Sequence, residues 1–205
     1  MSDLYQSNRK LVATYRQQLQ QKIVSLHQAE QSSNDIDPQK FYLGFKDRAI
    51  ELVQKETGLL QKECADSDNC HLLLLKQTAL VDTLVQASFY SAVWYFNHQN
   101  NQEWTTQSVP IAIIARGGYG REEMYFRSDV DIQIVSESSV SESDKKTAEQ
   151  IIRHFEYLFV FQDIFPASIN ACYTENETFE KDQDPANVAD FMALLEHRFV
   201  AGNSL

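Results

Sequence analysis

Apolar residues recur along this chain in two rhythms. From residue 3 to 98 they return mostly every three or four positions; from 109 onward they come in short runs. The first rhythm belongs to amphipathic helices, the second to buried strands. Leu4, Leu11, Tyr15, Leu19, Ile23 and Leu26 form one stripe with glutamines opposite, and predict a helix over about 3–30. The polar stretch 31–35 reads as a loop. Asp37-Pro38 is a helix start, with Asp as the cap and Pro at the first position. It opens a helix over about 38–63, with Phe41, Phe45, Ala49, Leu52 and Val53 on one side. The polar run 66–69 breaks the chain and caps a third helix, about 70–98. That helix is strongly apolar, carrying Leu80, Val81, Leu84, Val85, Phe89 and Val93, and is expected to be buried against a sheet.

The second half reads as α/β. Ile111-Ala112-Ile113-Ile114-Ala115 is short enough for a buried strand. Gly117-Gly118 ends it, Gly120 follows, and Arg121-Glu122-Glu123 makes a charged turn. A second strand then sets Asp129 and Asp131 among Val130, Ile132 and Ile134. Residues 136–144 read as a solvated loop and cap, followed by a helix over about 144–160. Ala167–Tyr173 is a third strand, 174–185 is acidic and irregular, and a final helix is expected over 186–201. The fold class is α+β: a helical N-terminal region, 1–98, then a small mixed-sheet core, 99–205, flanked by helices. No internal repeat is visible.

Candidate chemistry sits between the first two strands. Strand side chains alternate faces, so Asp129 and Asp131 point the same way, about 6–7 Å apart along the chain. Two like charges that close repel, and a divalent cation relieves them. Hard oxygen ligands suit Mg²⁺, which takes one or two carboxylates and completes its shell with water and phosphate oxygens. Glycines without Cβ let backbone N–H groups approach a phosphate, and a helix starting there would aim its positive end at it. Each half also has a plain reading. Gly-Gly can be a tight connection, and Asp-x-Asp the wet face of an edge strand. The two in this order, about ten residues apart, favour a nucleotide–metal site.

The run GGYGREEMYFRSDVD resembles the signature of the nucleotidyltransferase superfamily that includes DNA polymerase β. It is most similar to the N-terminal catalytic domain of the bacterial uridylyltransferases that modify the nitrogen-regulatory PII protein. The matching residues are Gly117, Gly118, Tyr119, Gly120, Arg121, Glu123, Ser128, Asp129 and Asp131. Weaker similarity runs from about residue 70 to FMALLEHRFVAG, which looks like the helix after the catalytic core. The resemblance implies a polymerase β-like core and Mg²⁺-dependent transfer of a nucleoside monophosphate, UMP by analogy, from a triphosphate to a hydroxyl on a regulatory protein. By the same resemblance Asp129 and Asp131 are catalytic and hold the metal. Gly117, Gly118, Tyr119, Gly120, Arg121 and Ser128 would contact the nucleotide, with Ser128 orienting Asp129 or touching the triphosphate. Glu123 is as compatible with a salt bridge to Arg121 or Arg127.

Two departures stand out. Many members carry a third carboxylate on the strand beside Asp-x-Asp. Here that strand has Asn170 at its middle, with Asp163 and Glu175 only flanking it. A catalytically inactive nucleotide- or partner-binding module is therefore the alternative. Glu122 stands where the family often has a small residue, and a carboxylate there would weaken nucleotide binding.

Composition narrows the partners. The 205 residues carry a formal net charge of −11. An acidic chain argues against nucleic acid as a partner but not against a nucleotide, which needs only a local basic pocket. Arg116, Arg121 and Arg127 offer one. Three cysteines, Cys64, Cys70 and Cys172, form no tight pair and predict reduced thiols in the cytoplasm. His71 beside Cys70 is too little for a zinc site. No signal peptide or membrane partner is expected. None of the five histidines precedes an Asp, so the hydrolase pair of the uridylyltransferases is not expected here. The chain is expected to be one piece of a longer protein, with acceptor choice and regulation lying outside it.

Overall fold

The computed structural model describes residues 2–28, 37–137, 139–160, 164–165, 168–175 and 196–203. Three long helices come first: α1 (Ser2–Gln28), α2 (Pro38–Asp66) and α3 (Cys70–Asn100). Their starts follow the capping chemistry. The Asp37 carboxylate accepts from the Gln39 amide at 2.9 Å with Pro38 opening α2, and the Asn69 side chain accepts from the Leu72 amide at 3.2 Å. Asn8 of α1 binds Asn69 and the ring of His71, fixing α1 to the α2–α3 corner. Glu56 of α2, 2% exposed, takes the Tyr15 hydroxyl and the Lys22 ammonium of α1.

Strand β1 (Ile111–Ala115), the helical turn α4 (Gly117–Gly120), β2 (Val130–Ser136), α5 (Glu142–Phe159), β3 (Ile169–Glu175) and β4 (Arg198–Gly202) follow. The sheet order is β3-β2-β1-β4. β1 runs antiparallel to both β2 and β4, while β2 and β3 are parallel, the crossover between them supplied by α5. Ile111, Ile113 and Ala115 of β1 and Val130, Ile132 and Ile134 of β2 face the helices. They share one core with Leu80, Leu84 and Phe89 of α3 and Phe155 and Phe159 of α5. α3 is the hub, touching α1, α2, α5 and β4. This is the α+β, mixed-sheet architecture that the two rhythms predict.

One element differs. The helix expected over 186–201 is not continuous to 201, because Arg198–Gly202 is an edge strand on β1. Residues 186–195 lie outside the described residues. The cause is local. Phe199 and Val200 favour a pleated surface, β1 offers an unpaired edge, and Gly202 (φ +101°) closes against it. A Cβ on Gly202 would stand 2.1 Å from the Ile111 carbonyl oxygen. No helix among the described residues is long and apolar enough to cross a membrane.

Candidate functional site

The glycine bend is one turn of helix, made of the glycines themselves rather than preceding a longer helix. Arg116 caps it in extended conformation, and its amide donates to the Asp131 carbonyl at 3.0 Å, tying the turn to β2. Gly117 is left-handed at φ +53°, a conformation that strains any side chain. The amides of a first helical turn have no intrahelical partner, so Gly117 and Gly118 bring donors of that kind beside β2. Gly120 is required for another reason. A Cβ there would lie 1.8 Å from the Glu196 carbonyl oxygen, so the segment entering β4 packs directly on the turn.

Asp129 and Asp131 stand at the start of β2, on the same side of it. Asp129 accepts from the Ser168 hydroxyl at 2.6 Å, and Asp131 from the Asn170 amide at 2.8 Å. Among the described residues neither is ion-paired. Asp131 faces the bend: its Oδ2 is 3.5 Å from where a Cβ on Gly117 would be. Asp131 and the glycine bend therefore meet in one open cleft of about 240 Å³, lined by Arg116, Gly117, Asp131, Asn170 and Cys172, while Asp129 is exposed just before β2. The parallel register sets Asn170 directly across from Asp131. Glu175 pairs with Ser136 at the far end of β2, and Asp163 lies outside the described residues. No cluster of three or more metal-ligating acids, histidines or cysteines occurs among the described residues.

The donor set fits a hard divalent cation. Asp131 lies in the cleft and Asp129 stands two residues before it, each accepting from a neighbour on β3 or at its start, the Asn170 amide and the Ser168 hydroxyl, and all are oxygen-bearing groups of the kind Mg²⁺ accepts. Asp129 and Asp131 would hold it.

The other sequence-marked residues serve the turn from behind. Tyr119 is 1% exposed and points away from the cleft. Its hydroxyl donates to Asp82 of α3 at 2.8 Å, and burial, with the adjacent carboxylate, holds its pKa well above the ordinary value. Asp82 also accepts two bonds from Arg198 of β4, at 2.8 and 3.0 Å, and one from Arg16 of α1 at 3.0 Å. Glu122 (φ +62°) pairs with Arg9 at 2.5 Å and Arg16 at 3.3 Å. Burial opposes its ionisation, but the Arg9 hydrogen bond and the charges of Arg9, Arg198 and Arg16 bring its pKa below the ordinary value. Arg121 is spoken for by Glu123 at 2.7 Å and by Glu196. The Ser128 hydroxyl accepts from the Tyr125 amide at 2.9 Å and closes the turn before Asp129. Arg127 is exposed.

Sequence reasoning missed Asp82, Arg198, Arg9 and Arg16. The signal was one acid, Asp82, set between Val81 and Thr83 in an apolar helix, where a buried charge demands partners.

No protein-family model matches the chain. It is similar in sequence to curated bacterial enzymes named bifunctional uridylyltransferase/uridylyl-removing enzyme. That of Zymomonas mobilis is 34% identical over 111 residues, 51% of this chain and 11% of that protein. The Cereibacter sphaeroides enzyme is 30% identical over 132 residues, 64% and 13% respectively. The Neisseria gonorrhoeae enzyme is 26% identical over 155 residues, 76% and 16%. The match thus spans between 11% and 16% of the length of these relatives.

Proposed function

We propose that this chain is a nucleotidyltransferase unit that moves UMP from Mg-UTP to a hydroxyl on a regulatory protein. The coarse class, nucleotidyl transfer, is supported by its similarity to enzymes named uridylyltransferases. The observation that carries the reading is that Gly117 and Asp131 line one cleft, with Asp129 two residues before Asp131 and neither acid ion-paired among the described residues. In the proposed reaction a hydroxyl oxygen bonds to the α-phosphorus and the bond from that phosphorus to the bridging oxygen breaks. Pyrophosphate leaves, and the hydroxyl proton passes to a carboxylate of the cleft or to water. Bound Mg²⁺ would supply charge neutralisation for the phosphates. The chain's own part is positioning, with Gly117 and Gly118 amides toward the phosphates and Asp129 and Asp131 anchoring the cation.

Calorimetry with Mg-UTP tests this on the parent chain and on Asp129→Asn and Asp131→Asn. Each variant is expected to lose at least tenfold in affinity, with no transfer of labelled UMP. Binding equal to the parent in both variants would remove the site. A second reading, a nucleotide-binding unit without turnover, is favoured by Asn170 standing across from Asp131, where an amide cannot act as a base. Mg-UTP binding without pyrophosphate release, with any acceptor tried, would select it.

A further inference from the structure

Among the described residues Arg116 is the one arginine that lines this cleft, and it lacks the ion pairs of its neighbours. Arg9 and Arg16 are held by Glu122, Arg121 by Glu123 and Glu196, and Arg198 by Asp82. Arg116 has no ion pair among the described residues. It follows β1, and its guanidinium reaches across β2 to the Cys172 sulfur on β3, with Nη1 donating at 2.9 Å. The Cys172 thiol also lies 3.6 Å from the Ile132 carbonyl oxygen, which accepts from it. Nε of Arg116 is buried with no hydrogen-bond partner among the described residues, as are those of Arg16 and Arg198, so the missing ion pair is what sets Arg116 apart. A half-buried cation whose side chain is held only by a thiol is costly to keep unless an anion completes it.

We propose that Arg116 is the cation that grips the phosphates in this cleft, and that Cys172 is the residue that positions it. The choice of a polyphosphate as the anion rests on the nucleotidyl-transfer reading; the need for an anion does not. Two carboxylates and one divalent cation cancel in formal charge. The guanidinium is then the cleft's net positive group, and its fork suits phosphate oxygens. Cys172 acts through Arg116. Its sulfur sits between the Ile132 carbonyl and Nη1, and so holds the guanidinium against β3.

The test titrates the full chain with inorganic tripolyphosphate in the presence of Mg²⁺, and separately with Mg-UTP. Arg116→Gln is expected to weaken both by at least tenfold. Arg116→Lys keeps the charge but not the fork, and is expected to fall between. A purely structural arginine would lower the melting temperature when replaced; an unsatisfied one should leave it unchanged or raise it. Cys172→Ser, which retains a donor and an acceptor, is expected to bind like the parent. Cys172→Val is expected to bind severalfold more weakly at an unchanged melting temperature. Tripolyphosphate binding by Arg116→Gln equal to that of the parent would overturn the assignment, as would a larger loss from Arg121→Gln. A parent that binds tripolyphosphate through Arg116 but ignores Mg-UTP would sink the nucleotidyl-transfer reading and keep this one. A parent that binds Mg-UTP regardless of Arg116 would do the reverse, and a parent that binds neither would remove both.

Discussion

Asn170 occupies the position from which a third carboxylate would face Asp131. Replacing it with aspartate adds a like charge beside Asp129 and Asp131, so metal and stability become linked. Without Mg²⁺, Asn170→Asp is expected to lose about 1 kcal/mol, a modest figure because the cleft is open to solvent. For a chain of this size that lowers the melting point by about 2–4 °C. With millimolar Mg²⁺ the sign should reverse, and any UMP transfer should rise. Thermal melts with and without Mg²⁺ check it, and a variant blind to the metal would exclude Asn170 from the site. Gly120 makes a different residue-scale case. In the sequence it looks like one more phosphate-loop glycine, yet a side chain there would meet the Glu196 carbonyl. Gly120→Ala is expected to cost about 1–3 kcal/mol by overpacking, read in denaturant melts. The paired acids and the glycine bend were legible because their spacing is local. The partner of Gly120 lies 76 residues away in the chain, by the difference of 196 and 120, and no local pattern announces it.

Among elements, the turn α4 and the bend that follows it are held by helices outside the sheet. Glu122 carries much of that hold through Arg9 and Arg16. Its carboxyl pKa in the fold lies below the ordinary value near 4.5. The unfolded chain therefore binds its proton at higher pH than the folded one, and the stabilisation is present above that ordinary value. It is lost as pH falls through the lower, folded value. Glu122→Gln should lower stability at neutral pH and flatten the acid limb of the stability–pH curve below pH about 4.5. A variant whose acid limb matches that of the parent would show that the pairs add nothing. This pairing also answers an expectation raised by the sequence. A carboxylate at 122 looks damaging beside a triphosphate, but the left-handed turn sends it toward α1, where two arginines meet it. Helix caps and strand periods were readable because they depend on near neighbours. The strand Arg198–Gly202 was not, since its five residues pair with an edge made far earlier in the chain.

Across the whole molecule, α3 joins the N-terminal helices to the site through Asp82. This residue is 5% exposed and satisfies Tyr119, Arg16 and Arg198 together. It therefore binds α1, the glycine turn and β4 at one point, while the apolar core runs without a break from α1 to the sheet. Removing its charge takes the ion pair from Arg198 and leaves Arg16 with Glu122 alone. Asp82→Asn is expected to cost about 3 kcal/mol, the lower end for a broken buried pair because both arginines keep some solvent. That corresponds to roughly 6–12 °C in melting temperature. Tyr119→Phe isolates one strand of the network: it removes a hydroxyl, keeps the ring under Arg198, and leaves one Asp82 oxygen with a single donor. The expected cost is about 1 kcal/mol, with faster hydrogen exchange at the amides of 117–120 and little change in α5, which takes no part in the network. If exchange rises equally in α5, Asp82 serves overall stability and not the turn. If it rises at the turn alone, the N-terminal helices hold the bend in the shape that the cleft requires.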